Sequence, residues 1–219
     1  MPRLLFEKTG NAIWMSHLDL MRLFQRAFKR AGLPLTHTQG FNPRPSVSIA
    51  LPLSVGVESV CELLDFDLEG ESVPCEEICQ RLNKALVAGV KVHEVYPQGK
   101  KIGNLGLLRC QLELEYDAGI STENEQQIRE LFQKESVTVE KRTKSGMVDQ
   151  DIIPMIRSLE LERKNDQALI ISALICCQNP TLNPMQMAVA IEKYLPDMKP
   201  DFAKSRRIKI MDAERNIFR

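Results

Sequence analysis

The first sustained pattern along the chain lies between Leu20 and Ala31, where Leu20, Leu23, Phe24, Ala27, Phe28 and Ala31 recur at spacings of three and four. That period lines one face of an α-helix of about four turns. Ser16 followed by Asp19 forms a capping box that starts the helix at His17, while Gly32 closes it and Pro34 prevents its resumption. Extended runs are expected at residues 4–7, 35–38, 46–51 and 62–68. A second apolar stripe, Ile78, Leu82, Ala85 and Leu86, follows Pro74 at a first helical position and ends at Gly89. Residues 90–96 then read as a strand.

Residues 97–104 are polar and glycine-rich, and they mark the best boundary, giving domains at 1–97 and 106–219. Beyond it Leu108, Cys110, Leu112, Leu114 and Tyr116 alternate with Arg109, Gln111, Glu113, Glu115 and Asp117, the cleanest strand signature in the chain. Thr122 with Glu125 predicts the cap of a helix carrying Ile128, Leu131 and Phe132. Val137 and Val139 predict a strand leading to Lys141-Arg142-Thr143-Lys144-Ser145-Gly146, and residues 159–176 a hairpin around Lys164-Asn165-Asp166-Gln167. A last helix begins at Asn183-Pro184, and Ile208 and Ile210 belong to a closing strand. Both halves run strand, helix, strands, helix, strand. The expected fold is therefore α+β, a tandem of ferredoxin-like (βαββαβ) domains with antiparallel sheets; a single mixed sheet is the alternative.

Net charge is zero, with 29 basic and 29 acidic residues, but the charges are segregated. Residues 1–60 hold seven basic against three acidic, residues 61–99 three against eight, and residues 196–219 seven against four. This pattern suggests an electropositive surface built from both ends of the chain. No apolar run reaches the ~18–20 residues of a membrane span, and the first ten residues lack a signal-peptide core. The six cysteines sit mostly within apolar patterns, as in a reducing compartment. The expected location is cytoplasmic, with no membrane partner.

Between the first helix and the next strands lies HTQGFNPRPS, residues 37–46. Pro43 and Pro45 fix their own φ and bias their predecessors toward extended geometry, so Asn42 and Arg44 are presented from a stiff backbone. The same composition also makes ordinary turns.

Enzymatic signatures are missing. There is no phosphate loop ending in Lys-Ser/Thr, no G-x-G-x-x-G, no H-E-x-x-H and no C-x3-C-x2-C. Cys75 and Cys79 share a helical face, but Leu82 stands where a third cluster cysteine would be, and nothing nearby completes a tetrahedral metal set. No metal and no cofactor is expected. Of the three histidines, His17 suits capping or packing and His93 a surface strand position. His37 is the sole candidate general acid or base, without a visible partner. Ser46 or Ser48 as nucleophile would need a base held by a third group.

Basic side chains form the stronger constellation. Arg22, Arg26, Lys29 and Arg30 fall on the helix face opposite the apolar stripe, where a plainly solvated surface is the ordinary meaning. Lys141, Arg142 and Lys144 precede a glycine turn, and Arg206 and Arg207 lie between Lys204 and Lys209. Such cations supply phosphate contacts, while His37, Gln39, Asn42 and Arg44 can read base edges and Phe41 can stack on a base. Aromatic residues make up only 5% of the chain, and no strand carries an aromatic RNA-recognition signature.

The segment HLDLMRLFQRAFKRAGLPLTHTQGFNPRPSVSIALPLSVGVES, residues 17–59, resembles the bacterial radical-SAM-linked protein family. The resemblance extends over about residues 1–70 and is recognisable again in KRTKSGMVDQDIIPMIRSLEL, residues 141–161. It implies a radical SAM enzyme as neighbour and partner, but brings no catalytic residues. Together these features point to a non-catalytic RNA-binding or adaptor protein working with a radical SAM enzyme on structured RNA or a ribosomal substrate. A small metal-independent RNA-processing enzyme using His37 as base, or a pure protein-interaction module, is the alternative.

Overall fold

Apolar side chains on both faces of residues 3–8 and 58–66 make them neighbouring strands, β1 (Arg3–Lys8) and β3 (Glu58–Phe66), paired antiparallel with Leu4 opposite Leu64 and Phe6 opposite Glu62. The computed structural model describes residues 1–143 and 146–219. The chain divides into two units, Met1–Asn104 with Ile217–Arg219, and Leu105–Asn216. Both are α+β with antiparallel sheets, and the described residues hold four α-helices.

In the first unit β4 (Val90–Tyr96) pairs with the other edge of β1, and the short β2 (Val47–Ile49) pairs with β3. The spatial order is β4-β1-β3-β2. Helix α1 (His17–Arg30) and α2 (Cys75–Ala85) complete a β-α-β-β-α-β succession. The predicted stripe of α1 is the buried one: Leu20, Phe24, Ala27 and Phe28 enter a core with Leu4, Phe6, Leu64 and Phe66. Phe6 meets Phe24 edge-on, with ring centroids 4.7 Å apart. Each buried leucine and phenylalanine among them contributes roughly 1.5–3 kcal/mol through burial.

The ends of α1 follow from the sequence. Ser16 accepts a hydrogen bond from the Asp19 amide at 3.2 Å. Gly32 at φ +67 lets the Leu33 amide reach the Phe28 carbonyl and its own amide reach that of Lys29, a Schellman closure. Helix α2 begins at Cys75 rather than at Pro74, which serves as its cap. The turn beyond α2 ends at Gly89, φ +84, packed on the Thr9 carbonyl. A Cβ there would also lie 2.9 Å from that of Ala12. Gly89→Ala should therefore lower stability by about 1–3 kcal/mol in urea unfolding; an unchanged midpoint contradicts this packing.

The second unit places β10 (Phe202–Asp212), β5 (Leu105–Glu115), β9 (Ala168–Cys176) and β8 (Ile156–Asn165) side by side in that order. Its helices are α3 (Thr122–Leu131) and α4 (Met185–Tyr194). The alternation read along β5 is real: Leu108, Cys110, Leu112, Leu114 and Tyr116 are buried, and the intervening residues are more open. The cap of α3 sits one residue earlier than the sequence suggested. Ser121 and Asn124, not Thr122 and Glu125, exchange the capping hydrogen bonds.

A separate hairpin, β6 (Thr138–Thr143) with β7 (Gly146–Asp151), interrupts this succession. The strand expected to lead to Lys141 runs on through Thr143, because Lys141 and Arg142 pair across from Val148 and Met147. Elsewhere the extended run at 62–68 begins earlier, at Glu58, and the run at 46–51 contracts to Val47–Ile49. Residues 35–38 contribute only isolated bridges, Leu35 to Leu68 and His37 to Pro45. Tertiary pairing partners, which local composition cannot encode, set these limits.

A candidate nucleic-acid interface on the first unit

Four cations stand out from the solvent face of α1. Arg22, Arg26, Lys29 and Arg30 lie opposite the stripe that enters the core, with their charged heads toward water. Arg22 is paired with Asp19 at 3.2 Å and Arg30 donates to the Ala85 carbonyl at 2.6 Å, which fixes their heads. Among the described residues Arg26 and Lys29 have no ion-pair partner, so both charges are available. The Arg22 hydrogen bond, with that from Ser16, also helps hold the Asp19 carboxyl below its usual range: the Ser16 hydroxyl is the larger cause.

The proline loop is an ordered excursion. The Thr38 amide donates to the Arg44 carbonyl at 2.8 Å, and the Arg44 amide returns to the Thr38 hydroxyl at 3.0 Å. Below that clasp the Ser46 amide donates to Thr36 at 2.8 Å, and Thr36 Oγ1 donates to Asp67 at 3.0 Å. The tip closes through Gly40 at φ +133, where a Cβ would be strained. Gln39, Phe41, Asn42 and Arg44 are all exposed, and the Phe41 ring is wholly in solvent at 111% relative exposure. A large ring on a clasped loop with no intramolecular packing is a ready stacking surface.

Between the loop base and α1 lies a cavity of about 430 Å³. Gln25 and Lys29 come from α1, Leu33, Pro34 and Leu35 from its exit, and His37, Pro45 and Glu69 from the loop base and the turn after β3. The wall is held by the Glu69 amide donating to the Pro34 carbonyl at 2.9 Å and by the Leu35–Leu68 bridge. His37 Nδ1 stands 3.7 Å from Glu69, with both side chains about half exposed. Among the described residues no hydroxyl is hydrogen-bonded to the His37 ring, so no nucleophile is aligned with it.

The structure thus brings His37 and Lys29 to one cavity, and puts Gln39, Phe41, Asn42 and Arg44 on the loop above it. Sequence reasoning missed Gln25 and Glu69. Gln25 shares the Lys29 helix face four residues earlier, a visible signal; Glu69 arrives only through long-range pairing. It also missed three exposed apolar side chains, Trp14 and Leu18 near the start of α1 and Val55, the last next to Gly56, which packs near Trp14.

The remaining predicted cations lie in the second unit. Lys141 is half-buried and donates to the Thr181 carbonyl at 3.1 Å, while Arg142 is exposed on β6. Arg206 is exposed and Arg207 half-buried on β10, where neighbouring Lys204 is paired with Glu115. Lys144 lies outside the described residues. No group of three metal-ligating side chains occurs among the described residues, and no helix in them is long and apolar enough to cross a membrane.

Cys75 and Cys79 are partly open on α2; burial pushes the Cys79 thiol up, and its Sγ lies 3.5 Å from the Val92 carbonyl. Burial raises Cys110 to about 12 and Cys177 to about 11. At pH 8 the folded protein should alkylate first at Cys75, whereas Cys110 and Cys177 should react only after unfolding. Mass spectrometry of partly alkylated protein checks this, and early labelling of Cys110 contradicts it.

The fold and site define an α+β protein with a cationic helix face beside a clasped, solvent-facing loop. The chain belongs to the bacterial family described as "Uncharacterized protein conserved in bacteria (DUF2344)", whose model matches residues 2–184. No curated protein matches the sequence. Among solved structures, a chain of a Cbf5–Nop10–Gar1 complex is similar over 95% of this chain, with a TM-score of 0.53 and 7% identity. This chain spans about half (48%) of that one, and at such identity the likeness concerns fold alone.

Proposed function

We propose that this protein is a non-catalytic RNA-binding subunit that presents structured RNA or a ribosomal substrate to a radical SAM enzyme. The observation that carries the RNA part is the pairing of a solvent-facing cation row on α1 with a clasped loop whose Phe41 ring is fully solvated. From Arg22 to Arg30 the cations cover ~12 Å of helix, enough to meet more than one phosphate. Phosphate contacts hold and orient RNA, and the loop's ring and amides supply stacking and edge contacts. On this reading both units are ferredoxin-like: the orders β4-β1-β3-β2 and β10-β5-β9-β8 support that assignment. Arg142, Arg206 and Arg207 would extend phosphate binding on the second unit.

The radical SAM partner rests on the sequence resemblance of residues 17–59 and 141–161. The exposed trio Trp14, Leu18 and Val55 supports a protein contact. The RNA reading is tested by titrating labelled single-stranded and hairpin RNA at several salt concentrations. Micromolar or tighter binding that weakens with salt is expected; no binding at low salt overturns it. Co-purification with a co-expressed radical SAM enzyme under anaerobic, low-salt conditions tests the partner, with Trp14→Ala plus Leu18→Ser expected to reduce recovery. Failure of the unmodified pair to co-purify sinks the adaptor role.

A further inference from the structure

We infer that the cavity between α1 and the loop base receives a single unpaired guanine from the RNA held on the α1 face, an assignment that rests on the RNA reading above. At about 430 Å³ it falls within the ~300–1,000 Å³ range of small-ligand sites, large enough for one nucleotide. Its walls divide by chemistry. Leu33, Leu35 and the two prolines give an apolar surface for the flat face of a base. Gln25, Lys29, His37 and Glu69 supply polar groups for its edge. Apolar contact on the faces with hydrogen bonds at the Watson–Crick edge is how proteins hold extruded bases.

The identity of the base follows from the donors and acceptors. Guanine presents one acceptor, O6, and two adjacent donors, N1–H and N2–H₂, along that edge. The Lys29 ammonium can only donate, and the Glu69 carboxylate can only accept, with two oxygens for two N–H groups. Cytosine offers the reverse pattern. Uracil has a single donor flanked by acceptors, and adenine lacks the carbonyl that a cation would meet. Lys29 is free of an ion-pair partner among the described residues. Glu69 is fixed at the backbone by Pro34, and among the described residues its side chain keeps only the 3.7 Å contact with His37.

The experiment is a nuclear magnetic resonance titration of the whole protein with 5′-GMP, AMP, CMP and UMP, alongside binding of polyuridine RNA. GMP should shift the amides of Gln25, Lys29, Leu33 and His37 saturably, with a dissociation constant of about 1 mM or tighter. Glu69→Gln should cut the preference for GMP over AMP at least about fivefold, the low end for a bidentate contact. Unchanged amide positions elsewhere and unchanged melting establish that the variant is folded. Equal response to all four nucleotides, no shift at these amides, or a preference indifferent to Glu69→Gln overturns the guanine site. If polyuridine binds while GMP does not, the pocket inference fails and the RNA reading stands. If GMP binds but no RNA does, the RNA reading fails, and with it the claim of an extruded base.

Discussion

Asp65→Ala is expected to cost about 3–5 kcal/mol of folding stability, because it strands the Arg3 guanidinium inside the first unit without its counter-ion. Arg3 Nε and Nη2 donate to the two Asp65 oxygens at 2.5 and 2.9 Å, with the side chains 2% and 15% exposed. The residues are cross-strand partners on β1 and β3, so the bidentate pair also fixes register. Arg3 cannot swing away to water. Its Cζ lies 5.2 Å from the Phe218 ring centroid, and a Cβ added at Gly99 would come within 2.5 Å of the same atom. Asp65→Asn should cost less, since an acceptor oxygen remains. Replacing both partners with apolar residues of similar size should recover much of the loss, because the desolvation penalty disappears with the charges. Urea unfolding provides the values, and a loss below about 1 kcal/mol for Asp65→Ala would falsify the assignment of this pair as a buried one.

Charge reversal on α1 carries the largest functional effect. Arg22→Glu with Arg26→Glu should weaken RNA binding about tenfold or more at low salt. The slope of log K against log salt should fall by about 1.4, at ~0.7 for each single-strand phosphate that is no longer neutralised. Both heads are solvated, so folding should change by less than about 0.5 kcal/mol. The small change at Arg22 should be a destabilising one, because Asp19, its partner at 3.2 Å, would then face a like charge. Asn42→Ala should act differently, changing which RNA is preferred, whereas Phe41→Ala should weaken all sequences alike by about 1–3 kcal/mol; both should leave the salt slope almost intact. An unaltered affinity and slope in the double reversal would mean that the row is an ordinary solvated helix face.

Much of this architecture was legible because local periodicity and tertiary burial agree. The helix at 17–30 announced itself by spacing, by Ser16 and by Gly32, and the alternation from Leu108 to Tyr116 marked β5. Where the two disagreed, position shifted. Thr122 looked like a cap because Glu125 follows it, yet Ser121 with Asn124 holds the amides, and a shift of one residue is invisible to composition. Lys141 and Arg142 read as a basic cluster before a glycine turn, but they belong to a strand, pairing across a hairpin whose other strand shows no apolar alternation. At the site, the α1 cations and the loop residues were visible as types. The cavity was not, because Glu69 comes beside His37 through the pairing of Leu35 with Leu68, a contact over more than thirty residues.

Ile217–Arg219 belong to the first unit although the whole second unit precedes them in the chain. Phe218 is fully buried, beneath the Arg3 guanidinium, and the Arg219 carbonyl accepts the Lys100 amide at 2.9 Å. Synthesis therefore delivers the first unit in two instalments. Its strands and helices emerge early, but the ring that covers Arg3 arrives only after residues 105–216 have been made. During that interval a buried cation lacks its lid, and the unit whose strands are made first is the last to be complete.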